Sequence, residues 1–512
     1  MTVYDVFRET ANRYADRPFL HIPAQATVTY HNTAIELSYS EASTRIEKLR
    51  DAYEQAGYGL GQRIALVLDN RMEMFLHFLA LNSLGVSIVP VNSGFMRDEM
   101  AYVIEHSDAC LVVSLPEYVN KIQSAVELIT EAPPVQDCGS FERLVPATGP
   151  IAFGAAGDDS ETAILYTSGT TGKPKGCMLS NHYFTNTGRW YVEAGDYIAL
   201  EPGQERLITP LPLVHMNALA SSFMGMVTSG GCIIQLDRFH RSSWWTTVRE
   251  TRASCLHYLG VMPAMLLNSE ASIEDDFSRQ IKFGFGAGVD PKHQECFEKR
   301  FGFPLIEGWA MTETGTAGCI MATKEPRHVG TRCFGMCPSW LEFRIVDDSG
   351  HNVVNGEPGE LLVRTRGDDP RKGFFSGYYK NLEATNEAWA GGYFHTGDVV
   401  RQGEDGSFHF VDRKKNVIRR SGENIAAVEV EGALFQNPLV ENCAVAPVDD
   451  EIRGDEVMAC IKLRDPGKSG EGMAIQIFTA CSELLSYYKL PGYIAFVDDL
   501  PTTATQKCSE EK

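Results

Sequence analysis

The first twenty residues hold no apolar run: Asp5, Arg8, Glu9, Arg13, Asp16 and Arg17 interrupt Met1 to Leu20, so a secretory leader is not expected. No uninterrupted apolar stretch reaches membrane-spanning length. The nearest, Met74 to Val91, is broken by His77, Asn82, Ser83, Gly85 and Ser87. Basic charge is scarce as well. Lysine and arginine number 46 against 67 aspartates and glutamates, a net charge of −21, which argues against nucleic acid or an anionic membrane surface as a general partner. The thirteen cysteines have no paired metal-ligand spacing and are odd in number, so they read as reduced, mostly buried thiols of a cytoplasmic protein. Internal repeats and low-complexity tracts are also missing.

What is present is a chain of 512 residues, 44% hydrophobic and 22% charged, long enough for at least two cores. Val3, Phe7 and Tyr14 among alternating charges predict an early helix, and Ser40 is a candidate N-cap for the helix after Leu37. Strand and helix patterns then alternate: Arg63 to Leu68, Met72 to Leu84, Ser87 to Val91, Arg97 to His106 and Ala109 to Val113. Such alternation predicts parallel sheets wrapped by helices. A Pro-, Gly- and Asp-rich loop over 131–160 follows. Beyond it Cys232 to Leu236, Ser254 to Leu259 and Ile281 to Phe285 continue the strand pattern.

From about Cys333 the rhythm changes to hairpins, with strands Leu341 to Val346 and Gly359 to Arg364 and turns at Asp347 to Gly350 and Glu404 to Gly406. After the polar run Val411 to Asn416 a third pattern begins. It predicts a helix over Glu423 to Phe435, strands at Cys443 to Val445 and Val457 to Leu463, a helix over Ile475 to Tyr488 and a last strand at Tyr493 to Val497. The expected fold is therefore α/β: a large N-terminal domain of helix-flanked sheets, 1–412, carrying an antiparallel β subdomain near 333–411, then a small, mobile α+β domain, 413–512.

The stretch with the most chemistry is Leu165-Tyr-Thr-Ser-Gly-Thr-Thr-Gly-Lys-Pro-Lys-Gly176. An apolar strand runs into a Gly-rich turn, which brings backbone N–H groups close to a phosphate. Thr167, Ser168, Thr170 and Thr171 add hydroxyls, Gly169 and Gly172 add freedom, and Lys173 and Lys175 add charge. It is not a Walker loop, because Thr167 stands where that loop has its first glycine and Pro174 follows the lysine.

The full string resembles the phosphate loop of the adenylate-forming superfamily, which contains acyl-CoA synthetases, aryl-CoA ligases, luciferases and the adenylation domains of peptide synthetases. Four further segments stand in that family's order. Glu307-Gly308-Trp309-Ala310-Met311-Thr312-Glu313 resembles its adenine and metal segment. The resemblance implies Trp309 stacked on adenine, Thr312 at the α-phosphate, and Glu313, with Thr167, holding Mg2+. Gly286-Ala287-Gly288 is similar to the turn along the adenine and acyl pockets. Asp398, in Tyr393-Phe-His-Thr-Gly-Asp398, is matched to the ribose carboxylate, with Arg413 as its companion. Lys507 is matched to the catalytic lysine that neutralises charge at the α-phosphorus, although Gln506 replaces the commoner glycine and only five residues follow.

His215, in Pro210-Leu-Pro-Leu-Val-His215, is matched to the side chain that lines the acid slot and the thiol path. Gly422 and Glu423, in Ile418-Arg-Arg-Ser-Gly-Glu-Asn-Ile425, are matched to the segment that approaches the pantetheine arm, and Lys415 to the hinge. The resemblance implies a two-step acid–thiol ligase. An acid and Mg-ATP give acyl-AMP and pyrophosphate, and the CoA thiol then displaces AMP. ATP, Mg2+ and CoA are the expected cofactors, a small carboxylic acid the substrate, and a homodimer an open assembly.

The chain looks closest to the crotonobetaine/carnitine-CoA ligase-like branch. Ala310, replacing a common glycine, and the polar Asn217, Ser221 and Ser222 favour a short or medium, polar acid. No Phe-Asp pair of the kind that grips an α-ammonium occurs, which weakens a peptide-synthetase reading. Three alternatives stay open: loading of a carrier protein, luciferase-type oxidation, and a catalytically silent nucleotide-binding relative.

Overall fold

The computed structural model describes residues 1–141, 144–149, 151–167, 173–289, 291–413, 417–421 and 423–500. Its strands form three sheets among these residues. The largest has thirteen strands. Its centre is parallel: Pro18–Ile22, Cys232–Gln235, Arg206–Thr209, Cys255–Leu259, Phe283–Ala287 and Leu305–Trp309 lie side by side. The second sheet has seven strands, with a parallel run of Glu161–Thr167, Ser87–Pro90, Arg63–Val67, Leu111–Ser114 and Val135–Asp137.

Alternation along Arg63–Val67 shows how the second sheet is buried. Ile64 and Leu66 point into the central core, with Phe75, Phe78 and Leu79 of the helix Met72–Ser83 and Phe223 and Met224 of the helix Phe223–Ser229. Ala65 and Val67 point the other way, into a second core with Val103, Ile104 and Ile122 from the helices Arg97–His106 and Val119–Val126. A strand covered on both faces reads as an unbroken apolar run, which is why Arg63 to Leu68 is legible in the sequence.

The antiparallel strands from Cys333 onward do not form a detached unit. Leu305–Trp309 pairs antiparallel with Ile320–Met321, which continues through Cys333–Met336, Ser407–Arg413, Phe394–Gln402, Gly359–Thr365 and Leu341–Val346 within the thirteen-stranded sheet. Trp309 and Asp398 thereby come to lie in one continuous hydrogen-bonded layer.

A third sheet holds Glu423–Ala426, Val417–Arg420, Gly454–Leu463, Val440–Asp450 and Tyr493–Phe496. Its apolar side chains, Ile418, Ile425, Val430, Leu434, Val445, Val457 and Ile477 among them, make a core of their own.

Three local expectations need correction. The helix after Leu37 is capped by Ser38, not Ser40: the Ser38 hydroxyl accepts from the Glu41 N–H while the Glu41 carboxylate accepts from the Ser38 N–H at 2.8 Å. Glu423 to Ala426 is strand, and helix begins only at Ala427, because Ile425 is buried opposite Ile418 across a hairpin. The next helix is Glu471–Ser482, and the chain beyond it forms a short 3-10 turn, Tyr487–Lys489, that turns Lys489 inward.

Candidate active site

The strands Glu161–Thr167 and Lys175–Ser180 form an antiparallel hairpin with Thr167 opposite Lys175 at its mouth. Ser168, Gly169, Thr170, Thr171 and Gly172, between them, lie outside the described residues. A two-residue strand, Gly377–Tyr378, seals the free edge, with Tyr378 opposite Cys177. The Tyr378 hydroxyl donates to Glu313 Oε1 at 2.9 Å, and the Lys175 ammonium sits 4.9 Å from the centre of the Tyr378 ring. Thr167 Oγ1 is 3.8 Å from Cys177 Sγ. Burial, and secondarily the nearby Glu313 carboxylate, push the Cys177 thiol far above its ordinary pKa. Thr167, Lys175 and Glu313 are thus gathered around Cys177 and Tyr378.

Four residues before Glu313, Trp309 reaches the other half of the arrangement. Its indole Nε1–H donates to Asp398 Oδ2 at 2.8 Å, and both residues are buried. The Phe334 ring lies 6.2 Å from the Trp309 ring. Asp398 is fixed from behind, its backbone N–H donating to Thr396 Oγ1 at 3.0 Å. Strand register sets Asp398 opposite Arg413. Between Trp309 and Glu313 the chain opens to solvent at Ala310, with Met311 and Thr312 half-buried. The Tyr183 hydroxyl anchors that bridge by donating to the Thr312 carbonyl at 3.0 Å.

Glu307 is engaged on both oxygens. Oε1 accepts from the Tyr258 hydroxyl at 2.5 Å, and Oε2 accepts from the Gly288 N–H at 2.9 Å and the Val289 N–H at 3.3 Å. Burial raises its pKa to about 7 against these donors, which pull the other way. This carboxylate ties the Gly286-Ala287-Gly288 turn to the strand Leu305–Trp309. Gly286 is required by close approach, since a Cβ there would stand 2.3 Å from the Tyr258 carbonyl oxygen. Gly308 is similarly confined, with Phe285 Cε2 2.9 Å from where a Cβ would be.

His215 stands with its side chain 39% exposed, its Nε2 3.2 Å from Glu423 Oε2 of the third sheet. Burial alone lowers the imidazole pKa, but the Glu423 carboxylate overrides it and the net shift is upward. Glu423 is held below its usual range by His215, and further by Lys489, against the opposing effect of burial. Lys489 makes a second contact across the same boundary. Its ammonium, 4% exposed as a residue, donates to Glu99 Oε1 and to Glu429 Oε1, both at 2.6 Å, while the Ser486 hydroxyl donates to Glu99 Oε2 at 2.7 Å. Lys415, Gly422 and Lys507 lie outside the described residues.

The oxygens available suit the expected ion. Mg2+ takes one or two carboxylates and otherwise phosphate and water oxygens. Glu313, a buried carboxylate beside Cys177 of the strand paired with Glu161–Thr167, has that character. Among the described residues no group of three or more His, Cys, Asp or Glu is placed to hold a metal by itself.

Sequence reasoning passed over Tyr378, Tyr258 and the Glu99–Lys489 contact. The Gly377-Tyr-Tyr379 triplet was the available signal for the first. Lys489 carries none, since a lysine among tyrosines reads as solvated until the fold buries it.

A profile of AMP-binding enzymes matches residues 7–379, and one of the AMP-binding enzyme C-terminal domain matches residues 429–507. The chain is similar to a crotonobetaine/carnitine–CoA ligase of Citrobacter koseri, 29% identical over 492 residues and 92% of each chain. Its fold resembles that of an o-succinylbenzoate CoA synthetase of Bacillus subtilis, with a TM-score of 0.83, 22% identity and coverage of 99% of this chain and 97% of the other. A malonyl-CoA ligase solved with methylmalonyl-CoA and AMP is similar at a TM-score of 0.77 and 26% identity, covering 95% and 97% of the two chains.

Proposed function

The chain belongs to the AMP-binding enzyme family, as an acid–thiol ligase that uses ATP, Mg2+ and CoA, and on that premise we propose how its own residues divide the work. The observation that carries the proposal is the segment Glu307 to Glu313, which touches Asp398 at one end and the phosphate hairpin at the other.

Trp309 offers its face to adenine, and Asp398, with Arg413, takes the ribose hydroxyls. Thr167, Ser168, Gly169, Thr170, Thr171, Gly172 and Lys175 grip the phosphates. Thr312 sits at the α-phosphate, and Glu313 with Thr167 holds Mg2+, which when bound neutralises charge on the phosphates. Lys507 supplies the cation at the α-phosphorus as the carboxylate attacks and pyrophosphate leaves. Gripping both reactants removes much of the entropic cost of their encounter.

The thiol then displaces AMP past His215. Gly422 and Glu423 flank the pantetheine arm, and the contact between Glu423 and His215 supports this. A unit of about 413–512 turns on Lys415 between the two steps, against a body of 1–412 with its β subdomain near 333–411; the separate apolar core of the third sheet supports that division. The acid is short or medium and polar, the enzyme works in the cytoplasm, and the assembly is a homodimer. The described cysteines form no disulfide with one another, which supports a reducing compartment.

The test is pyrophosphate release over a panel of carboxylic acids, repeated with CoA as sole acceptor. Lys507→Ala is expected to abolish acid-dependent pyrophosphate release while ATP binding, followed by calorimetry, persists. Equal loss of both would contradict the role assigned to Lys507. A product that forms only when a carrier protein is added would move the reading to carrier loading.

A further inference from the structure

After the strand Arg206–Thr209 the chain makes one wide π-helical segment, Asn217–Ser222, before the α-helix Phe223–Ser229. Such widened turns are uncommon and frequent at functional sites. This one sets Asn217 and Ser222 side by side against His257 of the strand Cys255–Leu259. Ser222 Oγ is 2.7 Å from His257 Nδ1, Asn217 Oδ1 is 3.1 Å from the same nitrogen, and the Tyr191 hydroxyl is 2.8 Å from Nε2.

Every proton in this cluster can be assigned. The Ser222 hydroxyl donates to the Asn217 backbone carbonyl at 3.2 Å, so its lone pair faces the ring. The buried Tyr191 hydroxyl has His257 Nε2 as its acceptor among the described residues, so Nε2 is the unprotonated nitrogen, and Nδ1 carries the hydrogen and donates to Ser222 Oγ and Asn217 Oδ1. The opposite orientation of the Asn217 amide would set its N–H2 against the Nδ1–H, donor against donor. Burial drives the His257 pKa down to about 3, so the ring stays neutral throughout the working range.

With Oδ1 committed, the Asn217 Nδ2 amine is left with no protein acceptor among the described residues, on a half-buried side chain two residues from His215. It lies on the side of the sheet that bears His257 and Phe285, whose rings meet at 4.8 Å. The same face ends at Leu259 and Ala287, a register pair half-exposed at the carboxyl edge of the parallel strands. Open parallel sheets receive ligands at that edge.

We propose that Asn217, held by His257, selects the acid: its amine donates a hydrogen bond to an oxygen on the acyl chain, so the substrate is an acid bearing a second carbonyl, carboxylate, ether or hydroxyl group. The inference rests on the ligase reading above. The cluster contains no carboxylate and so offers no counter-charge to a quaternary ammonium. It distinguishes this chain's substrate from the acid in the name of its Citrobacter koseri relative.

The test is ATP–pyrophosphate exchange by the full-length protein with matched acids of equal chain length, carrying at the far end a methyl, hydroxyl, keto, carboxylate or trimethylammonium group. The oxygen-bearing acids are expected to exceed the methyl and trimethylammonium acids in kcat/KM by about tenfold or more. Asn217→Leu is expected to erase that preference. Asn217→Asp, which keeps the oxygen facing His257 and replaces the amine by a second oxygen, is expected to turn the preference toward trimethylammonium. Either variant retaining the wild-type order overturns the proposal, as does a wild-type preference for the methyl or trimethylammonium acid. Absence of exchange with every acid overturns the ligase reading itself, a result distinct from a wrong order of preference.

Discussion

Trp309 and Asp398 are joined by a hydrogen bond of 2.8 Å although 88 residues separate them in the chain, the indole nitrogen donating to one carboxylate oxygen in a buried setting. On the roles proposed above, the residue that stacks on the base also aims the carboxylate that takes the ribose. Trp309 and Asp398 are one mechanical unit.

Replacing Trp309 with Phe keeps an aromatic face and removes the donor. A hydrogen bond to a charged group contributes about 1.5–3 kcal/mol. The KM for ATP is expected to rise by roughly tenfold or more, with a smaller change in kcat at saturating ATP. Steady-state exchange kinetics check it, and an unchanged KM would separate the two residues functionally.

The His215–Glu423 contact has a pH window. His215 titrates above its ordinary 6.5, because Glu423 outweighs burial, and Glu423 titrates below its ordinary 4.5. A raised histidine pKa contributes stability in full below the unfolded value and loses it as pH climbs through the folded value. A lowered carboxylate pKa contributes above its unfolded value and loses it as pH drops through the folded one. The contact therefore holds best between the two. In Glu423→Gln, burial alone governs the ring, and the His215 midpoint followed by NMR is expected to fall below that of the wild type.

Glu307 predicts a slope in stability. Its folded pKa of about 7 exceeds the unfolded carboxylate value, so the folded state holds the extra proton between them and stability declines as pH rises across that interval. The total is on the order of 3 kcal/mol. Urea midpoints at pH 5 and pH 8 are expected to differ less in Glu307→Gln than in the wild type.

Lys489→Met leaves Glu99 and Glu429 buried beside each other without their cation. Breaking a buried pair costs about 3–5 kcal/mol. Thermal unfolding is expected at lower temperature, with earlier proteolysis of the third-sheet unit. Adding Glu99→Gln and Glu429→Gln is expected to recover most of the loss.

Much of this was legible beforehand, for physical reasons. Buried parallel strands such as Arg63–Val67 announce themselves as apolar runs, and glycines at Gly286 and Gly308 mark places where chains meet too closely for a Cβ. Motif strings single out Trp309, Glu313 and Asp398 as candidates because each sits in a local sequence with its own signature. Ser38 was missed in favour of Ser40 because both precede a helical pattern and only the reciprocal bond with Glu41 decides. The strand at Glu423–Ala426 was missed because its partner Ile418 sets the conformation from outside the segment. Tyr378 and Lys489 act through tertiary contacts alone, and no period or spacing encodes those.

The hairpin of Glu161–Thr167 and Lys175–Ser180 is closed by Tyr378, and the carboxylate that Trp309 orients comes at residue 398. A chain emerging from the ribosome thus carries its glycine-rich turn long before it owns the strand that braces it. Contacts so distant in sequence form late, since the intervening loop must first be closed. On the roles proposed above, nucleotide capture waits until Asp398 has been made.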